Sequence, residues 1–131
     1  MRYLLDANVV VGLLNDRPLN LVRRARQVPI GDMAIPAIAI HELFYGAFKS
    51  RRGQQNVDKI EALQFQVIDF DRDDARQAGE IRALLAAQGT PIGPYDVLIA
   101  GQAVARNAIL ITRNIREFLR VPRLQVENWE A

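Results

Sequence analysis

The chain has no cysteine, one histidine and only two lysines, and each scarcity removes a class of chemistry. Without thiols there are no disulfides, no thiolate metal sites and no cysteine nucleophile, so an apolar core has to hold the fold alone. That composition suits a reducing compartment, and the expected location is the cytoplasm. The single imidazole, His41, leaves little room for chemistry built on histidines. No apolar run approaches the roughly 18 uninterrupted residues of a membrane helix. The N-terminus lacks a basic segment followed by a signal-like apolar stretch. The expectation is therefore a soluble chain in one domain over residues 1–131, since half the residues are apolar and the length suits one core rather than two.

What is present begins with arginine. The formal net charge is only +2, although the sequence pI is near 9.4, and neither value identifies a nucleic-acid binder. Of the 17 basic residues, however, all but Lys49 and Lys59 are arginine, whose planar fork grips phosphate oxygens in pairs. A GC-rich genome produces the same bias, so the feature is compatible with phosphate binding without requiring it.

Periodicity gives alternating strands and helices. Arg2 to Leu5 reads as a buried strand ending at Asp6, with a helix from Val9 to Leu14 stopped by Asn15-Asp16-Arg17-Pro18. A helix over Leu19 to Gln27, a strand over Met33 to Pro36 and an amphipathic helix over Ile38 to Lys49 come next, the last closed by Ser50-Arg51-Arg52-Gly53. Val57, Ile60, Ala62 and Leu63 suggest another helix, and Phe65 to Phe70 a strand. Asp71 caps a long helix ended by Gly89. Pro91-Ile92-Gly93-Pro94 then feeds a deeply buried helix from Tyr95 to about Arg106. Ala108 to Ile111 is a strand, Asn114 to Leu119 a short helix and Leu124 to Val126 an edge strand. This alternation predicts a three-layer α/β/α sandwich around a central, mostly parallel sheet.

Open parallel sheets bind ligands outside the carboxyl ends of their strands. Asp6, Glu42, Asp96, Asn114 and Glu117 all fall at that edge. Clustered carboxylates repel and raise one another's pKa, so such a rim favours a cation. Magnesium is the expected ion, with manganese as the alternative, because hard divalent ions prefer oxygen ligands. Water activated there could attack a phosphodiester. Each acid also has a plainer explanation: Asp6 as a helix cap, Asp96 as a first-turn acid facing the helix dipole, Glu117 as a solvated side chain. Glu42 resists this, since it sits beside Leu43 and Phe44 on a largely buried helix. His41 is expected on the surface or in a capping role. Asp69, Asp71, Asp73 and Asp74 look like a metal cluster, but a cap and an acidic first turn explain them better. Phe44, Tyr45 and Phe48 read as core or dimer contacts rather than a base-stacking platform.

Four segments carry a resemblance: Tyr3-Leu4-Leu5-Asp6-Ala7-Asn8, Ile40-His41-Glu42-Leu43-Phe44-Tyr45-Gly46, Pro91 through Ala100 with Pro94-Tyr95-Asp96 at its centre, and Thr112-Arg113-Asn114-Ile115-Arg116-Glu117-Phe118 through Glu127-Asn128-Trp129. In this order they resemble the VapC-type toxins of the PIN-domain ribonuclease family. The resemblance implies a magnesium-dependent endoribonuclease acting on structured RNA, with tRNA ahead of ribosomal RNA. It also implies a homodimer held inactive in a larger assembly by a cognate VapB-type antitoxin. It assigns metal binding to Asp6, Glu42 and Asp96. Two departures stand out: Ala7 replaces the hydroxyl residue usual in the family, and Asn114 replaces a fourth Asp, leaving the position divided between Asn114 and Glu117. A receiver domain fits less well, because Asp6 is not one of paired acids and no lysine follows Lys59; a haloacid-dehalogenase phosphatase would need Asp at position 8, which is Asn. The stronger rival is a PIN-fold module that binds RNA or antitoxin with little catalysis.

Overall fold

The computed structural model describes residues 1–131. Its centre is a five-stranded sheet made of β1 (Tyr3–Leu5), β2 (Met33–Pro36), β3 (Gln66–Ile68), β4 (Ile109–Ile111) and β5 (Gln125–Glu127), in the spatial order β3-β2-β1-β4-β5. Every pairing is parallel, where the sequence predicts a mostly parallel sheet. Strands covered on both faces carry continuous apolar runs: Leu4 and Leu5 of β1, Ala34 and Ile35 of β2, and Leu110 and Ile111 of β4 are all fully buried. Leu4 lies opposite both Ala34 and Leu110.

The helices are α1 (Ala7–Leu14), α2 (Leu19–Arg26), α3 (Ala37–Lys49), α4 (Gly53–Glu61), α5 (Arg72–Ala87), α6 (Pro94–Ala105) and α7 (Ile115–Phe118). From β1 the chain moves one way to β2 and β3, then crosses to β4 and β5 on the other side. Right-handed crossovers therefore put α1 to α4 on one face and α5 and α6 on the other. The point of reversal lies between β1 and β4, the position at which open α/β sheets gather ligands.

Some boundaries differ from those expected. Gly53 starts α4 instead of closing α3, because Gln54, Gln55 and Asn56 extend the helix with polar residues that carry no apolar periodicity. A 3₁₀ turn at Ile30–Asp32 precedes β2. β3 is only three residues long, and β5 is a true parallel edge strand shifted by one residue from the predicted one. Phe44 packs against the core, but Tyr45 and Phe48 face solvent at 62% and 71% exposure, so neither is a core residue. The Asp71 cap is present, as a capping box: the Asp74 N–H donates to Asp71 Oδ1 at 3.0 Å and the Asp71 N–H donates to Asp74 Oδ2 at 3.0 Å.

Close packing of α6 on α5 positions one of the rim acids. A β-carbon at Gly101 would stand 2.5 Å from the Ala78 backbone, so α6 lies directly against α5 only because position 101 has no side chain. Val97, Ile99, Ala100 and Ala103 are buried along the same helix. The start of α6, which carries Asp96, is thereby held over the end of the sheet.

Candidate active site

Asp6 leaves the end of β1 and caps α1, its Oδ1 accepting from the Ala7 N–H at 2.8 Å. Its other oxygen accepts from the Thr112 hydroxyl at 2.8 Å. Thr112 directly follows β4, the neighbouring strand across the reversal point, and its Oγ1 accepts in turn from the Asn114 N–H at 3.0 Å. The capping and site readings of Asp6 are thus the same geometry: one carboxylate starts a helix and faces the rim. Asp6 is 6% exposed. Burial raises its pKa above the ordinary 3.8, against the lowering effects of the Thr112 and Ala7 hydrogen bonds and the Arg113 charge.

Glu42 reaches the rim from α3. Its Oε1 is buried without any hydrogen-bond partner. Burial, then the negative charge of Asp6, raises its pKa, while His41 works the other way. Asp96, in the first turn of α6, is pushed up to about 7, by burial first, then by Asp6, by the charge of Glu117 and a side-chain hydrogen bond to it, and by Glu42. Asn114 donates from Nδ2 to Glu117 Oε2 at 3.0 Å. All five residues singled out from the sequence therefore meet at one rim, with Asn114 and Glu117 joined there by a hydrogen bond. His41 is on the surface, its ring edge-on to Tyr95 at 5.6 Å between centroids.

Thr112 is a site residue that sequence reasoning misses, because a threonine at a strand end reads as a β-former. The signal is the hydroxyl missing at Ala7: Thr112 brings a hydroxyl to the same carboxylate from the adjacent strand. From Glu42 a cavity of about 430 Å³ runs between α1, α3 and α4, past Asn8, Gly46 and Lys59.

The donor set suits a hard divalent ion. Every converging group is an oxygen donor, one oxygen is buried and orphaned, and the acids raise one another's pKa. Their present rotamers do not bring three acidic donors into one coordination group. Asp6 is engaged by the Thr112 hydroxyl and the Ala7 N–H, and Asp96 by Glu117.

Comparison with known proteins agrees with this geometry. The PIN domain family model matches residues 3–124. The chain is similar to the tRNA(fMet)-specific endonuclease VapC of Shigella flexneri, 39% identical over 98% of both chains, and to the enzyme of that name from Salmonella typhimurium, 37% identical over 98% of both. Among solved structures it is similar to the DNA-bound VapBC of Salmonella typhimurium, with a TM-score of 0.92 at 37% identity and 98% coverage of each chain. The match over nearly the whole length shows that this chain belongs to the PIN-domain family, alongside the VapC ribonucleases.

Proposed function

We propose that this protein is the toxin of a type II toxin–antitoxin pair, an endoribonuclease that hydrolyses phosphodiester bonds in structured RNA with the aid of a divalent ion. The observation that carries the reading is the convergence of Asp6, Glu42, Asp96 and Glu117 with no cationic side chain bonded to any of them. Magnesium is the ion the oxygen donors suit, with manganese as substitute. Transfer RNA is the substrate class favoured by the names of the two endonucleases, with ribosomal RNA second. The VapBC complex points to a VapB-type antitoxin as partner, and the larger assembly would be built on a homodimer of the single-domain toxin. No helix is long and apolar enough to cross a membrane, and the proposed place of action is the cytoplasm.

Asp6, Glu42 and Asp96 would hold the ion. The chemistry such an ion supplies is activation of an attacking water and stabilisation of charge on the phosphate. The remaining work belongs to the chain. Thr112 fixes the rotamer of Asp6 by donating to one oxygen while its own lone pair is engaged by the Asn114 N–H. Asn114 orients Glu117, and Glu117 shares a hydrogen bond with Asp96, so the outer side of the rim can hold a proton near neutral pH. Core packing behind Leu5, Ile111 and Ile99 keeps water out from beneath the acids.

One observation favours a second reading, a module that grips RNA or antitoxin with little catalysis: the acidic side chains do not close into a three-donor group. Incubating antitoxin-free protein with total cellular RNA separates the two. Cleavage that needs magnesium or manganese, stops with EDTA and is lost in Asp6→Ala and Asp96→Ala is the expected result. Cleavage indifferent to EDTA and to both substitutions overturns the metal mechanism, and no cleavage of any RNA leaves the binding module.

A further inference from the structure

Beside the acidic rim lies a second groove of about 390 Å³, lined by Asn8, Asn15, Arg17, Arg113 and Glu130. It begins where the rim ends. Asn8 is two residues beyond Asp6, and Arg113 directly follows Thr112, which holds Asp6. The charge of Arg113 is close enough to act on that carboxylate. Neither Arg17 nor Arg113 forms an ion pair; the pairs in the molecule use Arg24, Arg106 and Arg123.

Arg17 is held there by the backbone. Its N–H donates to the Gly12 carbonyl at 2.9 Å, and its own carbonyl oxygen stands 2.7 Å from where a β-carbon on Gly12 would be. Only glycine at position 12 lets the loop fold back this closely. Glu130 contributes the opposite kind of group. Its N–H donates to Asn128 Oδ1 at 2.9 Å, while its carboxylate Oε2 is buried with no donor at all. A buried acceptor without a partner is costly, and next to two unpaired guanidiniums it would repel a bare anion.

A ribonucleotide satisfies both kinds of group, since guanidiniums match phosphate oxygens and the ribose 2′-hydroxyl is a donor that DNA lacks. We infer that Arg17, Arg113 and Glu130 form a subsite for the ribonucleotide next to the scissile phosphate, the arginines binding its phosphate and Glu130 turning its unpartnered Oε2 out into the groove to accept from its 2′-hydroxyl. This deepens the ribonuclease reading and rests on it for the position of the scissile bond.

The test uses full-length Asp6→Asn protein, to bind without cutting, and follows fluorescence anisotropy of a single-stranded RNA oligomer and its all-deoxy counterpart through a salt series. Arg17→Ala/Arg113→Ala should lower the slope of log affinity against log salt by about one unit. Arg76→Ala/Arg82→Ala, which removes the same charge from α5, should leave it unchanged. Glu130→Ala should reduce the preference for RNA over DNA by about fivefold, the worth of one hydrogen bond, and Glu130→Gln, which keeps an acceptor, should restore it. Thermal melting confirms that each variant folds. An equal loss of slope in the α5 control, or an RNA preference untouched by Glu130→Ala, overturns the subsite. Cleavage by the wild-type chain is measured alongside. If it cuts RNA but the arginine pair has no effect on the slope, the subsite fails and the ribonuclease stands. If it cuts nothing while the slope and RNA preference respond as described, the ribonuclease fails and the ribonucleotide groove stands.

Discussion

Two groups of carboxylates stand at the carboxyl edge of the same sheet, one after β1 at its centre and one after β3 at its border. After β3, Asp74 is 1% exposed; its Oδ1 has no partner, but its Oδ2 accepts from Arg106 Nη2 at 3.1 Å and Gln102 Nε2 at 3.0 Å, and the reciprocal cap with Asp71 adds main-chain donors. Asp71 accordingly sits below the ordinary carboxylate range, held there first by the Asp74 N–H. After β1, the donors that reach the acids are neutral ones, an N–H from Ala7, a hydroxyl from Thr112 and an amide from Asn114 within the Glu117 pair, and the pKa values move up instead. The same residue type at the same edge has its pKa lowered where the chain supplies donors and a cation and raised where it supplies only neutral ones.

The contrast can be broken from either side. The largest effect is expected at the centre: Asp6→Asn or Asp96→Asn should lower RNA cleavage on the order of 10²–10⁴-fold while leaving the melting temperature of the metal-free protein the same or higher, read by a cleavage assay and calorimetry together. Next comes the border. Asp74→Ala removes one acceptor from Arg106 and Gln102, which keep the Asp69 carbonyl and, for Arg106, Asp71, and should cost about 1–2 kcal/mol of stability in denaturant titrations, with cleavage per folded molecule retained. A loss of activity in folded Asp74→Ala protein would erase the distinction. At the centre again, Thr112→Val removes only the hydroxyl that orients Asp6 and should weaken the affinity for magnesium by roughly 10–100-fold, visible as a rise in the metal concentration for half-maximal cleavage.

The mildest test is a pH profile of metal-free stability, in which the two groups slope oppositely. The raised pKa of Asp96 means that the folded state binds its proton more tightly than the unfolded chain does. Its contribution is fully present below the ordinary 3.8 and is lost as pH rises through about 7. The lowered pKa of Asp71 stabilises above 3.8 and that contribution is lost as pH falls through its folded value. Asp96→Asn should flatten the decline toward neutral pH, and Asp71→Asn should flatten the acid limb alone. A decline unchanged in Asp96→Asn would place the excess charge elsewhere.

How much of this the sequence carried depended on range. That Asp6, Glu42 and Asp96 come together at one edge of the sheet was legible because each follows an element boundary marked by local signals: an apolar run ending at Leu5, the Pro36 to Ile38 segment, the Pro94 start of α6. The Asp71 cap was legible for the same reason. The strand order was not, since the neighbours of β1 are chosen by packing among residues 3, 33 and 109 and no local pattern encodes that choice. Thr112 escaped notice on the same ground, its meaning lying in a contact 106 residues away. The choice between Asn114 and Glu117 was open along the chain, and the hydrogen bond that joins the two side chains has no local signal either.

That long reach also sets a time. β1 emerges first during synthesis, yet its partner β4 and the hydroxyl that holds Asp6 belong to residues 109–112. A nascent chain shorter than this has β1 paired on one side only, to β2, and lacks both the second neighbour and the hydroxyl that holds its first acid. Residues 3 to 6 therefore wait on residues 109 to 112, and the rim that would hold a metal exists only once the far side of the sheet has been made.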